Sequence, residues 1–123
     1  MIIGIGVDII EIERIKKAVE KNKLFLKKIF TEKEIEYFKL RKESANTIAG
    51  NFAAKEAVSK AVGTGFRQFG LKDIEVLRDE LGKPFINISS KVYEVIGNKD
   101  VTIHISISHS IENAVAYAVM EEK

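Results

Sequence analysis

The sequence predicts an α+β protein whose largely antiparallel sheet packs against helices. Three observations lead there. Residues 1–8 alternate as a strand does. From Ile12 to Gly63 the apolar residues recur at helical spacing. Beyond Gly63 the period falls to two, most clearly where Val101, Ile103, Ile105 and Ile107 alternate with Thr102, His104, Ser106 and Ser108. With 123 residues, the chain is expected to form one domain, 1–123, large enough for one real core.

Each element has its own warrant. In the first strand Ile3, Ile5 and Val7 share one face and Ile2, Gly4 and Gly6 the other. Ile12, Ile15 and Val19 then mark a helix on which Arg14, Lys17 and Lys21 lie on a different face. Thr31 and Glu34 form the capping-box pattern and open a second helix through about Lys42. Ser44 or Asn46 caps a third, with Ile48, Phe52 and Val62 toward the core and Gly63 as its stop. Ile74 and Val76 indicate a strand, residues 81–84 a turn, 85–88 a second strand, and 89–96 a short helix ended by Gly97 and Asn98. The alternating run from Val101 and the small, apolar segment 113–120 close the chain as two strands. The predicted order is strand, three helices, two strands, helix, two strands.

Composition removes several classes of function. Apolar residues make up 46% and charged residues 31%, a balance unlike that of disordered chains. Without cysteine there can be no disulfide, thiolate zinc site or cysteine nucleophile. The longest uncharged stretches, 44–54 and 101–111, are about half of what a membrane span needs. The first residues meet Asp8 without a basic leader, unlike a signal peptide. A soluble cytoplasmic protein with no membrane partner is therefore expected. Net charge is only +2, but residues 14–28 hold seven basic side chains (Arg14, Lys16, Lys17, Lys21, Lys23, Lys27, Lys28) and one acid, Glu20. Such a patch suits an anionic partner, or is simply a solvated face. Lysines outnumber arginines 16 to 4. That ratio argues against a nucleic-acid partner, because base and phosphate reading favours the arginine fork.

Four residues could carry chemistry. Asp8 closes the apolar run of the first strand, where it either faces a cleft or caps the following helix. Glu56 and Lys60 are four apart on the third helix, a spacing common in plain surface pairs. Here they lie among Ala53, Ala54, Ala57 and Ala61, which keep the helix slim, and Gly63 and Gly65 follow. His109 ends the alternating strand amid Ser106, Ser108 and Ser110. A serine hydrolase is disfavoured, since Gly-x-Ser-x-Gly is missing and Ser108 and His109 point to opposite faces. A strand-end histidine satisfied by hydroxyls is the plain alternative, and His104 is assigned no role. Two carboxylates, a lysine and a histidine point to a phosphate site with a hard cation such as Mg²⁺, which takes one or two carboxylates and fills its shell with water and phosphate. With two histidines and no cysteine, zinc or iron is disfavoured.

Five segments in order then resemble one family: Gly-x-Asp-Ile-Ile-Glu-Ile-Glu-Arg-Ile (6–15), Phe-Thr-Glu-Lys-Glu (30–34), Phe-Ala-Ala-Lys-Glu-Ala-x-x-Lys-Ala-x-Gly-Thr-Gly (52–65), Gly-Lys-Pro (82–84) and Ser-Ile-Ser-His (106–109). Together they resemble the holo-[acyl-carrier-protein] synthases, the small bacterial 4′-phosphopantetheinyl transferases, over essentially the whole chain. The resemblance implies transfer of 4′-phosphopantetheine from coenzyme A to a serine of apo acyl carrier protein, releasing adenosine 3′,5′-bisphosphate, in fatty acid biosynthesis. It implies Asp8 and Glu56 as Mg²⁺ ligands, Lys60 near the pyrophosphate, and Gly63, Pro84 and His109 at coenzyme A, the histidine donated across a subunit boundary. It implies Arg14, with Lys17 and Lys21 of the basic helix, as the surface for an acidic carrier protein, and a homotrimer with sites between subunits. Glu56 or a metal-bound water would be the base for the serine hydroxyl. One position departs from the pattern. The arginine usual before the central phenylalanine is Asn51, for which Lys39, Arg41 or Lys42 could compensate. The competing reading is a small non-enzymatic basic module that binds RNA or an acidic protein. A strand with stacking aromatics, which would favour RNA, is missing.

Overall fold

A computed structural model describes all 123 residues. The elements run β1 (Ile2–Glu11), α1 (Ile12–Lys21), α2 (Phe25–Ile29), α3 (Glu32–Leu40), α4 (Ala45–Val62), a 3₁₀ turn (Leu71–Asp73), β2 (Ile74–Arg78), β3 (Pro84–Ile88), α5 (Ser90–Val95), β4 (Val101–His109) and β5 (Asn113–Glu122). The strands form an antiparallel three-stranded sheet, β1-β5-β4, and a separate β2-β3 hairpin. The α+β class and the strand order agree with expectation. The short α2 is an addition, and β1 continues to Glu11, so Asp8 lies within the strand opposite Ala116 rather than at its end.

Helix α4 is the axis of the molecule. It packs on β1 and β5 and separates two apolar clusters, one of which joins it to β2, β4, β5 and α5, the other to α1 and α3. Ala49, Ala53, Ala54 and Ala57 on α4 are fully buried, so its backbone can approach the sheet closely. The closest approach is at β1. A Cβ at Gly4 would lie 1.9 Å from the Ala61 carbonyl oxygen, and one at Gly6 2.0 Å from that of Ala57. The glycine face of β1 is therefore the inner one. Ile5, Val7 and Ile9 face outward, half or more exposed, and Val7 pairs with exposed Tyr117 across the sheet. An apolar sheet face is left uncovered by this chain alone.

The start of α3 follows its sequence signal. The Thr31 hydroxyl accepts from the Glu34 N–H and the Glu34 carboxylate accepts from the Thr31 N–H. The helix ends at Leu40, before Lys42 and Glu43 turn to positive φ. Gly63 caps α4 with φ 97°, a conformation open to glycine at little cost. No helix is long and apolar enough to cross a membrane.

Candidate functional site

The close contact of β1 with α4 brings three of the expected residues together. Asp8 shares the inner face of β1 with Gly4 and Gly6, while Glu56 and Lys60 stand one turn apart on α4. The Lys60 Nζ donates to the Val7 carbonyl at 2.9 Å and pairs with Asp8 Oδ1 at 3.3 Å. Asp8 and Glu56 line one cleft of about 340 Å³ with Arg14, and Ile9, Ile10, Ile15, Ala18, Phe25 and Phe52 complete its walls. Burial pushes the Glu56 carboxyl above its ordinary range and the Asp8 charge adds to this, while Lys60 pulls the other way. Two carboxylates that line one largely apolar cleft are suited to a cation or to a shared proton.

Two other expected residues meet elsewhere. Pro84 and His109 line a cleft of about 470 Å³ with Tyr37, Arg41, Thr47, Arg78, Lys83 and Ser106. Arg41 and Arg78 both stand against the Tyr37 ring, at 5.7 and 5.1 Å from its centre. Burial pushes the Arg78 guanidinium below its usual value, Arg41 helps, and Tyr37 and Glu34 oppose them. Its Nη1 is buried without a partner in the chain, so a donor is left over beside this cationic cleft. Gly63 lies beyond Lys60 and lines neither cleft. His104 pairs with Glu121 on the exposed sheet face.

Arg14, Lys17 and Lys21 are exposed on α1, away from the buried Ile12 and Ile15. The rest of the basic segment is divided, with Lys16 also on α1, Lys23 in the turn that follows, and Lys27 and Lys28 on α2. Asn51 is fully buried, and its Nδ2 donates to Glu34 Oε2 at 3.3 Å and to the Val76 carbonyl at 3.1 Å. It therefore faces the core, not a cleft. Of the three candidate substitutes for the absent arginine, Arg41 reaches the cationic cleft, and Lys39 lines a different one with Lys27 and Lys72.

Sequence reasoning passed over Arg78, Tyr37 and the ion pair of Lys55 with Glu34. That pair is fully buried, with Nζ 2.7 Å from Oε1. The remaining Lys55 donors go to the carbonyls of Leu71 and Ile74. Glu34 also accepts from the Val76 N–H. Burial pushes Glu34 up and Lys55 down, and each partner's charge pulls the other back. The pair ties α3 and β2 to the turn of α4 that carries Glu56. A lysine directly after Phe52, Ala53 and Ala54 was the available signal.

Comparison with known proteins identifies the family. The family model described as the 4′-phosphopantetheinyl transferase superfamily matches residues 4–119. The chain is 68% identical over 121 residues, 98% of each chain, to a holo-[acyl-carrier-protein] synthase of Clostridium botulinum (strain Alaska E43 / Type E3). Among solved structures it is similar to the holo-(acyl-carrier-protein) synthase of Bacillus anthracis str. Ames in complex with CoA (3′,5′-ADP), with TM-score 0.81, 43% identity and 100% and 99% of the two chains covered. It is also similar to the Helicobacter pylori holo-[acyl-carrier-protein] synthase in complex with coenzyme A, with TM-score 0.84, 32% identity and 95% and 99% covered. The five sequence segments, the α+β fold and these relatives agree, and the chain belongs to the 4′-phosphopantetheinyl transferase superfamily, among its holo-[acyl-carrier-protein] synthases.

Proposed function

We propose that this chain moves the 4′-phosphopantetheine arm of coenzyme A onto a serine of apo acyl carrier protein, with Mg²⁺ as cofactor, releasing adenosine 3′,5′-bisphosphate. The observation that carries this reading is the meeting of Asp8, Glu56 and Lys60 where β1 crosses α4, in a chain similar to coenzyme A-bound synthases.

Asp8 and Glu56 would hold the Mg²⁺. Their donors are all oxygen, and no cluster of three acidic, histidine or cysteine side chains exists to make a closed site. This suits an ion that keeps water and substrate phosphates in its shell. When bound, the cation supplies charge neutralisation at the pyrophosphate oxygens. Lys60 adds a second positive charge beside them. The serine oxygen forms its bond to the β-phosphorus as the bond from that phosphorus to the bridging oxygen breaks. The bridging oxygen leaves with the adenosine bisphosphate. The serine proton goes to a base beside the site, for which Glu56 is this chain's candidate. Positioning and charge neutralisation, rather than covalent help, carry the step.

Arg41, Arg78 and Lys83, with Pro84 and His109, offer the nucleotide phosphates a cationic cleft. Because that cleft and the Asp8–Glu56 cleft are separate in one chain, the site is completed when His109 of one copy stands beside Lys60 of another. The uncovered face of Ile5, Val7, Ile9 and Tyr117 supports such a contact, and we assign a homotrimer. Arg14, Lys17 and Lys21 receive the acidic carrier protein. Arg14 lies in the cleft with Asp8 and Glu56, where the acceptor serine must arrive. With that acceptor the reaction would serve fatty acid biosynthesis, in the cytoplasm. Incubation with coenzyme A, Mg²⁺ and an apo acyl carrier protein, read by mass spectrometry, tests the reading. A phosphopantetheine adduct on the acceptor serine is expected, and its absence from an acceptor that a known synthase modifies overturns it.

A further inference from the structure

We propose that Gly50 is a positioning residue for the coenzyme A half of the site, acting through His109. The proposal rests on the reading of His109 as a coenzyme A contact.

Gly50 lies inside α4 without the positive φ that would call for glycine. In a helix interior glycine costs about 1 kcal/mol relative to alanine. The same helix carries alanine at 49, 53, 54, 57 and 61 and buries all of them. Something at position 50 must exclude the methyl group. A Cβ there would lie 3.0 Å from Ile107 Cγ2, 3.3 Å from His109 Nε2 and 3.9 Å from His109 Cδ2. The backbone is not in the way. The three nearest atoms all belong to side chains on one face of β4, and two of them are ring atoms of His109. The missing methyl thus leaves room for Ile107 Cγ2, the nearest atom, and for the imidazole beside it. It lets the end of β4 close on α4, with the ring against the helix and beside Pro84, Arg41 and Arg78. A methyl group would lie tighter than ordinary contact, so Ile107 Cγ2 and His109 Nε2 would each have to give by a few tenths of an ångström. The fold then survives while the histidine shifts.

The test compares Gly50→Ala, His109→Ala and the double variant in steady-state transfer assays, with thermal melts of each. Gly50→Ala should raise the KM for coenzyme A roughly five- to tenfold, the scale of one strained polar contact. Its kcat should stay within about twofold, and its melting temperature should be equal or higher because alanine favours the helix. On the His109→Ala background the same substitution should leave the KM for coenzyme A unchanged, because there is no ring left to displace. A normal KM in Gly50→Ala beside a raised KM in His109→Ala overturns the role of Gly50 and leaves that of His109 intact. A normal KM in His109→Ala overturns the reading on which the proposal rests, and the proposal with it. A large fall in melting temperature, or an equal KM effect on both backgrounds, shows that general packing rejects the methyl and also overturns it.

Discussion

Replacing Gly6 by alanine should disable the site by a calculable displacement. The new Cβ would lie 2.0 Å from the Ala57 carbonyl oxygen and 2.9 Å from both the Ala61 nitrogen and the Lys60 Cβ. Ordinary contact begins near 3.4 Å, so β1 and α4 must part by about 1.4 Å at this point. Backbone faces backbone, and no flexible side chain can absorb the strain. Asp8 is two residues along the same face, and its 3.3 Å pairing with Lys60 is the contact that opens. Overpacking of this kind costs about 1–3 kcal/mol, or several degrees in the melting temperature of a chain this size. The catalytic loss should be larger, since a displacement of about 1 Å in a reacting array costs about 100-fold. The assay is the initial rate of phosphopantetheine transfer, with circular dichroism to confirm the fold and coenzyme A binding measured separately. Transfer should fall about 100-fold while binding at the His109 cleft falls far less. A folded Gly6→Ala protein that transfers within threefold of wild type would refute the claim that the β1–α4 spacing sets the site.

Lys55→Met should destabilise by about 3–5 kcal/mol, because Glu34 is left as a buried unpaired charge, and adding Glu34→Gln should recover part of it in denaturant melts. In metal-free protein Glu56→Gln should be stabilising at neutral pH. The Glu56 carboxyl is raised by burial and by Asp8, so its contribution is favourable below its unfolded value and is lost as pH rises through the folded one. The gain should vanish in acid, and Mg²⁺ should stabilise wild type but not the variant; melts across pH with and without Mg²⁺ decide. Arg14→Glu with Lys21→Glu should raise the KM for carrier protein strongly and that for coenzyme A little. Moving from low to physiological salt should narrow the difference from wild type, as screening over about 8 Å requires. Val7→Asp should leave a folded monomer by light scattering, with transfer lost, because it charges the uncovered sheet face.

What the sequence made legible was local. The Thr31–Glu34 box, the stop at Gly63 and the alternation in β4 each depend on residues within a few positions, and each is where expected. The five residues of α2 are too few to show a period. Which face of β1 turns inward was hidden for a different reason. Isoleucines would ordinarily be placed in the core, but the nearness of α4 admits only the glycine face, and that nearness is a tertiary fact. Asp8, Glu56 and Lys60 could be singled out by type and spacing, and the fold brings them together. The wall of arginines across Tyr37 could not, because Tyr37, Arg41 and Arg78 come from α3, its end and β2. Asn51 was visible as a departure, but its inward direction was not.

The central position of β5 has a consequence for how the chain is made. Its partner β1 is synthesised first and β5 last, with Ile2 paired to Glu121. About 100 residues must be added between the end of one and the start of the other, roughly 5–20 s at ordinary translation rates. For all of that time β1 is a strand without a neighbour, rich in isoleucine and poor in charge, the composition that invites association between nascent chains. Helix α4 is complete well before β5, and it can cover only the glycine side. The isoleucine side stays uncovered by this chain even after β5 has paired. Slower translation should therefore lower the soluble yield of this chain, and coexpressed chaperones should restore it.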